Sequence, residues 1–156
     1  MTTYADEVLQ PGETVRYEGT LHWIIFVPGL PLLMFVVAGF LGVTTAWRPA
    51  HGVSLYSLLA LFALVAFLMQ LLTAWIVRQT TEIAVTNRRV IYKTGLISRQ
   101  TIEMNMDKVE SVDVTQDFLG RLLDYGTVLI RGTGAGLEPL ANVASPLALR
   151  NAITVG

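Results

Sequence analysis

Basic side chains recur over a short stretch in the middle of the chain, and they offer the clearest chemistry in the sequence. This basic cluster consists of Arg88, Arg89, Lys93 and Arg99. Guanidinium and ammonium groups bind phosphate oxygens, and each basic side chain near an anionic leaflet contributes about 1 kcal/mol to binding. The cluster is therefore a candidate contact for lipid headgroups. The alternative is a solvated turn whose charges only set the orientation of a membrane protein.

Other residues that could do chemistry do not combine into a site. The acidic residues between 107 and 117 would alternate faces on a strand and spread too far to converge on a cation. Gly132, Gly134 and Gly136 do not have the spacing of a dinucleotide-binding loop. Cysteine is absent, which excludes thiol nucleophiles and thiolate metal sites. We therefore expect no catalytic, cofactor or metal site, and predict that the protein is not an enzyme.

The overall charge excludes one class of partner. The formal net charge is −1, and the basic residues form no stripe along the sequence. Proteins that bind nucleic acid usually carry a pronounced basic surface. We therefore expect no nucleic-acid partner, and turn to the elements that would position the basic cluster.

Two long uncharged segments dominate the first half of the chain. Residues 24–46 and 53–77 contain no Asp, Glu, Lys, Arg or His, and only a short loop separates them. A helix needs about 20 residues to cross a hydrocarbon core about 30 Å thick. The segments predict an antiparallel transmembrane hairpin over residues 23–77. Its membrane-interface anchors would be the aromatic residues at the segment ends, Trp23, Trp47, Tyr56 and Trp75.

Features within the first segment predict how it packs. Ala38, Gly42 and Ala46 recur every four residues, and small residues at this spacing allow close approach of a second helix. This helix-packing face could hold the hairpin together or form a homo-oligomer. Pro28 and Pro31 lack backbone N–H donors and should delay the start of the helix.

Lys and Arg near the segment ends predict the orientation. Four basic residues follow the second segment closely, whereas the loop has only Arg48. Basic residues are retained on the cytoplasmic side of the membrane. We therefore expect both termini to lie in the cytoplasm, with the membrane-spanning segments forming a multi-pass anchor.

The remainder of the chain has the pattern of a small β domain. Short alternating runs with turn residues between them predict strands at 82–86, 89–94, 99–106, 109–116, 127–133 and 139–143. Residues 13–20 predict a seventh strand ahead of the hairpin. Residues 118–123 predict a short helix, and Ser145 before Pro146 predicts the N-cap of a C-terminal helix. The predicted domains are an N-terminal segment of residues 1–22 that supplies the first strand, the hairpin of residues 23–77, and a cytoplasmic domain of residues 78–156.

Several short motifs together resemble a known family. They are the Pro-Gly-Glu of residues 11–13, His22, the Val-Thr-Asn-Arg-Arg-Val-Ile of residues 85–91, Gly95, and the segments 107–116 and 121–127. In this respect the chain resembles bacterial pleckstrin-homology-like (PH-like) membrane proteins of the second bacterial PH type. The resemblance implies a seven-strand antiparallel barrel or sandwich with a C-terminal helix. It brings no established catalytic residues.

The resemblance and the hairpin together predict a class of function. We expect a non-enzymatic protein of the bacterial cytoplasmic (inner) membrane that presents a PH-like interaction domain, or scaffold, at the cytoplasmic face. Its partners would be membrane lipids and another protein or copies of itself. The alternatives are an accessory subunit of a membrane transport or envelope-stress complex, and a sensor of anionic lipids through the basic cluster.

Overall fold

The chain forms two compact units in the computed structural model, which describes residues 8–45, 55–95, 100–133 and 139–155. One unit combines Met1–Ile24 with Val77–Gly156, and all the described strands belong to it. We call it the β unit. The other unit, Ile25–Ile76, is helical in its described part, and we call it the helical unit.

Prolines shape the beginning of the helical unit. A 3-10 helix, Trp23–Gly29, contains Pro28 and precedes α1, Leu30–Thr45. The predicted delay of the first helix is confirmed, because proline cannot donate the backbone hydrogen bond that an α-helix interior requires. The second long helix, α2, is Leu55–Thr80. Both Trp23–Gly42 and Ser57–Thr80 are long and apolar enough to cross a membrane, judged by length and composition alone.

The two long helices approach each other closely at Gly39. A Cβ atom on Gly39 would lie 2.5 Å from the Cβ of Ala60 and 3.1 Å from its Cα. No side chain larger than hydrogen fits at that point. Gly39, the residue at this contact, directly follows Ala38, which we predicted to lie on the helix-packing face. Ala38 itself is exposed.

Four antiparallel strands form the first sheet. Their order is β1-β2-β3-β4, with bounds Val15–Gly19, Glu82–Thr86, Arg89–Thr94 and Gln100–Asn105. β1 pairs with β2 although the helical unit lies between them in sequence. As predicted, Asn87 and Arg88 form the two-residue turn between β2 and β3.

Three antiparallel strands form the second sheet. Their order is β5-β6-β7, with bounds Val109–Thr115, Tyr125–Gly132 and Leu140–Ala144. A short helix, α3, Phe118–Leu123, connects β5 to β6 as predicted. The sheets are joined through the segment after β1, where Leu21 bridges Val143 and the His22 amide donates to the Asn142 carbonyl at 2.7 Å. The predicted seven strands are confirmed, and they form two antiparallel sheets.

The main apolar core lies under both sheets and the C-terminal helix. Its fully buried members come from β2, β3, β6 and β7 and include Val85, Val90, Val128 and Val143. The C-terminal helix, α4, Pro146–Thr154, closes the core with Leu149 and Ile153. Burying such side chains contributes roughly 1.5–3 kcal/mol each, so this core is the main source of stability of the β unit.

Ser145 occupies the predicted N-cap position of α4 but does not cap it with its side chain. Its backbone is left-handed, with φ 47°, and the hydroxyl bonds the Asp124 carboxylate at 2.5 Å instead. The predicted N-cap position and the start of the helix at Pro146 are confirmed, although the Ser145 side chain makes no cap hydrogen bond. A left-handed residue turns its side chain away from the helix amides, which leaves the hydroxyl for another acceptor.

The direction of the strands gives the β unit two distinct ends. β1 ends at Gly19, which pairs with Ile83 near the start of β2, and the chain continues into the helical unit between these two strands; we call this end of the first sheet the junction end. The β2–β3 turn lies at the other end, where the Met106 amide donates to the Arg88 carbonyl at 2.8 Å. We call this the turn end. With about 3.4 Å per residue, the five residues of β2 separate the ends by roughly 14 Å.

Candidate functional site

Arg89, one of the predicted headgroup contacts, is bound inside the protein. It is only 9% exposed, and each of its three guanidinium nitrogens donates a hydrogen bond. Nε and Nη2 reach the two carboxylate oxygens of Glu13 at 3.0 and 2.9 Å, and Nη1 reaches Glu103 at 2.7 Å. Nη2 also donates to the Val8 carbonyl at 2.9 Å. Its charge is already compensated by two carboxylates.

Glu13 is held in its charged form by this arrangement. Its carboxylate also accepts from the Thr86 hydroxyl at 2.7 Å and from the Gln10 amide at 2.9 Å. Burial alone would raise the pKa of Glu13, but the hydrogen bonds from Arg89, Gln10 and Thr86 outweigh burial and lower the pKa from 4.5 to about 2. The same Arg89–Glu13 hydrogen bond raises the pKa of Arg89.

Asn87 also connects the segment before β1 to the β2–β3 turn. Its side-chain oxygen accepts from the Thr14 amide at 3.1 Å, and its side-chain nitrogen donates to the Gly12 carbonyl at 3.3 Å. The bonds of Asn87 join those of Glu13, Thr86 and Arg89, and together we call them the turn-end network. The network ties the segment before β1 to the β2–β3 turn, so its role is structural.

The four predicted headgroup contacts therefore do not form one cluster. Arg88 is exposed at the turn end, whereas Lys93 lies at the junction end, where it pairs with Glu82 at 3.8 Å. Their separation has a simple cause, because β3 runs from one end of the sheet to the other between them. Arg99 lies outside the described residues.

Two neighbouring cavities open at the turn end, and together we call them the turn-end cleft. The first, of about 380 Å³, lies between the β2–β3 turn and the 3-10 turn Met106–Lys108. The second, of about 470 Å³, lies between β5 and the last turn of α4. Both are lined by Asn87, Met106 and Asp107, which makes the two cavities adjoin.

The lining of the second cavity suggests what it could bind. It contains two carboxylates, Asp107 and Glu110, and no Lys or Arg. Val112 and Ile153 add apolar surface. Such a lining suits a segment that carries both apolar and basic side chains. Among the described residues there is no group of three or more acidic or histidine side chains that could hold a metal ion.

The remaining predicted site residues lie in the helical unit or beside it. Trp23 and Trp75 are each about half exposed. Ala38 is exposed and Gly42 partly buried on α1. Ala46, Trp47 and the side chain of Tyr56 lie outside the described residues.

Two features were missing from the sequence-based predictions. One is the Glu13–Arg89 ion pair, which joins residues 76 positions apart. Its only signal was that both residues fall in motifs of the family resemblance, Pro-Gly-Glu and residues 85–91. The other is the turn-end cleft, which is formed by segments that are distant in sequence and has no local pattern.

A model of a known protein family matches most of the chain. Neither the curated proteins nor the solved structures match this chain. The profile of a family described as bacterial PH domain matches residues 24–154, which is more than half of the 156 residues. PH domains generally act as non-catalytic interaction modules that bind lipids or proteins. The extent of this match and the two-sheet fold with its C-terminal helix lead to one conclusion: the chain belongs to the bacterial PH domain family.

Proposed function

We propose that this protein is a membrane-anchored, non-enzymatic interaction module. The helical unit spans the bacterial cytoplasmic membrane, and residues 1–22 and 78–156 lie on the cytoplasmic side. The turn-end cleft then receives an extended segment of a partner protein. The observation that carries this proposal is the groove between β5 and α4, which combines an edge strand with acidic and apolar side chains.

An edge strand can bind a partner through its backbone. β5 is an outer strand of its sheet, since it pairs with β6 and no other described strand. An extended peptide that adds to such an edge gains backbone hydrogen bonds, and its alternate side chains enter neighbouring pockets. Here Val112 and Ile153 would receive an apolar side chain, and Glu110 would receive a basic one.

Membrane anchoring is supported by the two apolar segments and by the way the β unit is built. Trp23–Gly42 and Ser57–Thr80 each have the length and composition of a membrane span. β1 and β2 pair with each other across the helical unit, so both ends of that unit must lie on the same side of a membrane. Two crossings satisfy this requirement, whereas one does not.

The alternative of an anionic-lipid sensor has less support. Arg89 is bonded to Glu13 and Glu103, and Arg88 lies at the turn end, away from the helix connections. An accessory subunit of a larger membrane complex is a form of the same proposal, with the partner being another subunit. Self-assembly remains part of it through the face of Ala38, Gly42 and Ala46; Ala38→Leu should then lower the oligomer mass in a native mass spectrum.

Site-specific photo-crosslinking in living cells tests the partner site. A photoreactive amino acid at Glu110 or Ser111 should give the same crosslinked product, because both residues line the groove. The same amino acid at Arg150, which is exposed on α4 outside the groove, serves as the matched control. An identical product at Arg150, or none at either groove position, would contradict the proposed docking site.

Cysteine labelling tests the anchoring and orientation. The chain has no cysteine, so single substitutions report without background. Gly52→Cys, in the loop between the apolar segments, should react with an impermeant maleimide in intact cells. Glu110→Cys should react only after the cells are permeabilised. The reverse pattern would invert the topology, and recovery of the protein in the soluble fraction would refute the anchor.

A further inference from the structure

An apolar face of α3 is exposed on the β unit. Phe118 is 82% exposed, Leu122 71% and Leu119 53%. With about 100° between successive helical residues, these three side chains cover one side of the helix. Large apolar side chains grouped on a surface usually mark a contact with a partner or a membrane. Arg121 is exposed on the same short helix.

Local bonding holds α3 in this orientation. The Asp117 carboxylate caps the helix by accepting from the Gly120 amide at 2.6 Å, and the Gln116 side chain donates to the Gly120 and Tyr125 carbonyls. A Cβ on Gly120 would lie 2.7 Å from the Tyr125 carbonyl oxygen. Because only glycine fits against the β unit at this position, the apolar side chains must point outward.

A continuous chain of contacts places α3 at the junction end. Asp117 hydrogen-bonds to the Tyr125 side chain, and the Tyr125 ring stacks on His22 with 5.3 Å between ring centroids. The His22 ring lies 5.2 Å from that of Trp23. Trp23 is the first residue of the apolar span. The exposed face of α3 therefore lies at the end of the β unit from which the chain continues into the helical unit.

We propose that the apolar face of α3 (Phe118, Leu119 and Leu122) inserts into the headgroup region of the membrane that holds the helical unit. The inference rests on the proposed anchoring. The bilayer is the occupant for two reasons. The helix that carries the face is linked through its N-cap Asp117, Tyr125 and His22 to Trp23, and tryptophan favours the membrane interface. Arg121 lies beside the face, and a basic side chain next to an apolar one is typical of interfacial helices on anionic membranes.

Fluorescence of full-length protein in lipid vesicles tests this proposal. Single-cysteine variants are labelled with an environment-sensitive NBD fluorophore and reconstituted in phosphatidylcholine–phosphatidylglycerol vesicles. The test position is Leu122→Cys, and Arg150→Cys and Glu110→Cys are the exposed controls on the β unit. Phe62→Cys, on the exposed surface of α2, reports the anchoring separately. All four residues are exposed, so the label does not disturb the core.

Each outcome has a definite meaning. We expect the label at residue 122 to be blue-shifted, quenched by shallow nitroxide lipids, and several-fold less sensitive to aqueous iodide than the labels at residues 110 and 150. If residue 62 is lipid-exposed while residue 122 is as accessible to iodide as residue 150, the anchoring stands and the insertion of α3 is wrong. If residue 62 itself is accessible to iodide, both proposals are overturned.

Discussion

The two ends of the β unit expose different kinds of surface. At the junction end, Trp23, Phe118 and Leu122 present large apolar side chains. At the turn end, Arg88, Asp107 and Glu110 present charges around a cleft. Specific contacts hold both ends in place: close packing at Gly120 at the junction end, and the hydrogen bonds between Glu13 and Arg89 at the turn end. The contrast is therefore one of chemistry rather than of order.

This contrast separates two tasks that a membrane-bound interaction module must perform. Contact with the bilayer suits apolar and aromatic groups, whereas recognition of a partner in water suits charges and hydrogen-bonding groups around an apolar floor. In the proposed arrangement, a separation of roughly 14 Å along the strands would keep the cleft away from the lipid headgroups. The basic cluster does not belong to one end, because β3 carries Arg88 and Lys93 to opposite ends.

Of the variants that test the difference between the two ends, removal of the buried cation Arg89 at the turn end should lower the stability of the protein most. Arg89→Ala leaves Glu13 buried without its partner, which should cost about 3–5 kcal/mol of unfolding free energy. The measurement is a urea titration of the detergent-solubilised chain, followed by circular dichroism. Exchange of the backbone amides of residues 82–94 with deuterium should rise in the same variant.

Two matched variants show whether the loss comes from the ion pair. Arg88→Ala, in the adjacent exposed position, should change stability by less than about 0.5 kcal/mol. The double variant Glu13→Leu with Arg89→Leu should recover most of the loss, since it removes both buried charges. Equal destabilisation by Arg88→Ala and Arg89→Ala would show that the hydrogen bonds of the turn-end network are not what stabilises the turn end.

Acid should weaken the turn end through Glu13. Its pKa is 4.5 ordinarily and about 2 in the folded protein, so the unfolded chain binds more protons between these values. The stabilisation is complete above about pH 4.5 and is lost as the pH falls towards 2. Urea midpoints measured across this range should fall less steeply for Glu13→Gln than for the unmodified protein. An equally steep decline in both would show that other carboxylates control the acid response.

A single methyl group should loosen the junction end by a smaller amount. Gly120→Ala places a Cβ 2.6 Å from the Asp117 carboxylate and 2.7 Å from the Tyr125 carbonyl. This overpacking should lower the free energy of unfolding by about 1–3 kcal/mol. Amide exchange of residues 116–128 should increase. Leu119→Ala, on the exposed face of the same helix, is the control and should leave exchange unchanged. If amide exchange of these residues does not increase in Gly120→Ala, then α3 can shift to accommodate the methyl group, and glycine is not required at this position.

The smallest effect is expected from the exposed cation of the turn end. Arg88→Gln should not change the lipid environment of the β unit, because this residue lies at the end remote from the helix connections. NBD fluorescence from Leu122→Cys in vesicles with and without phosphatidylglycerol is the measurement. A shift of that signal caused by Arg88→Gln only in anionic vesicles would restore the anionic-lipid sensor as the better function.

Patterns that are local in sequence predicted most of the fold. Alternation in residues 82–86 and 89–94, with Asn87 and Arg88 between them, is sufficient for a hairpin, since each strand pairs with its neighbour. Pro28 affects only the start of the helix in which it lies, so the delayed start of the α-helix could also be predicted from the sequence. Strand β1 was predicted as well, because its alternation is intact before the apolar segment begins.

Long-range and rotational details could not be predicted in the same way. Arg89 carries the same charge whether it faces solvent or Glu13, and only the pairing of distant segments decides between them. Gly39 and Ala38 differ by about 100° around α1, and a helix that is apolar on all sides does not indicate which of them meets Ala60. The exposure of Phe118 depends on Gly120 contacting the Tyr125 carbonyl, which involves another element.

The pairing of β1 with β2 has a consequence for biosynthesis. β1 leaves the ribosome first but has no partner strand until the whole helical unit and Glu82 have followed. In the proposed membrane arrangement, the strands can meet only if both apolar segments have been inserted. A chain with one segment left behind would hold β1 and β2 on opposite sides of the bilayer, with Glu13 and Arg89 unable to pair. In that arrangement, completion of the first sheet would act as a check on insertion, because misinserted chains would be left unfolded and open to proteolysis.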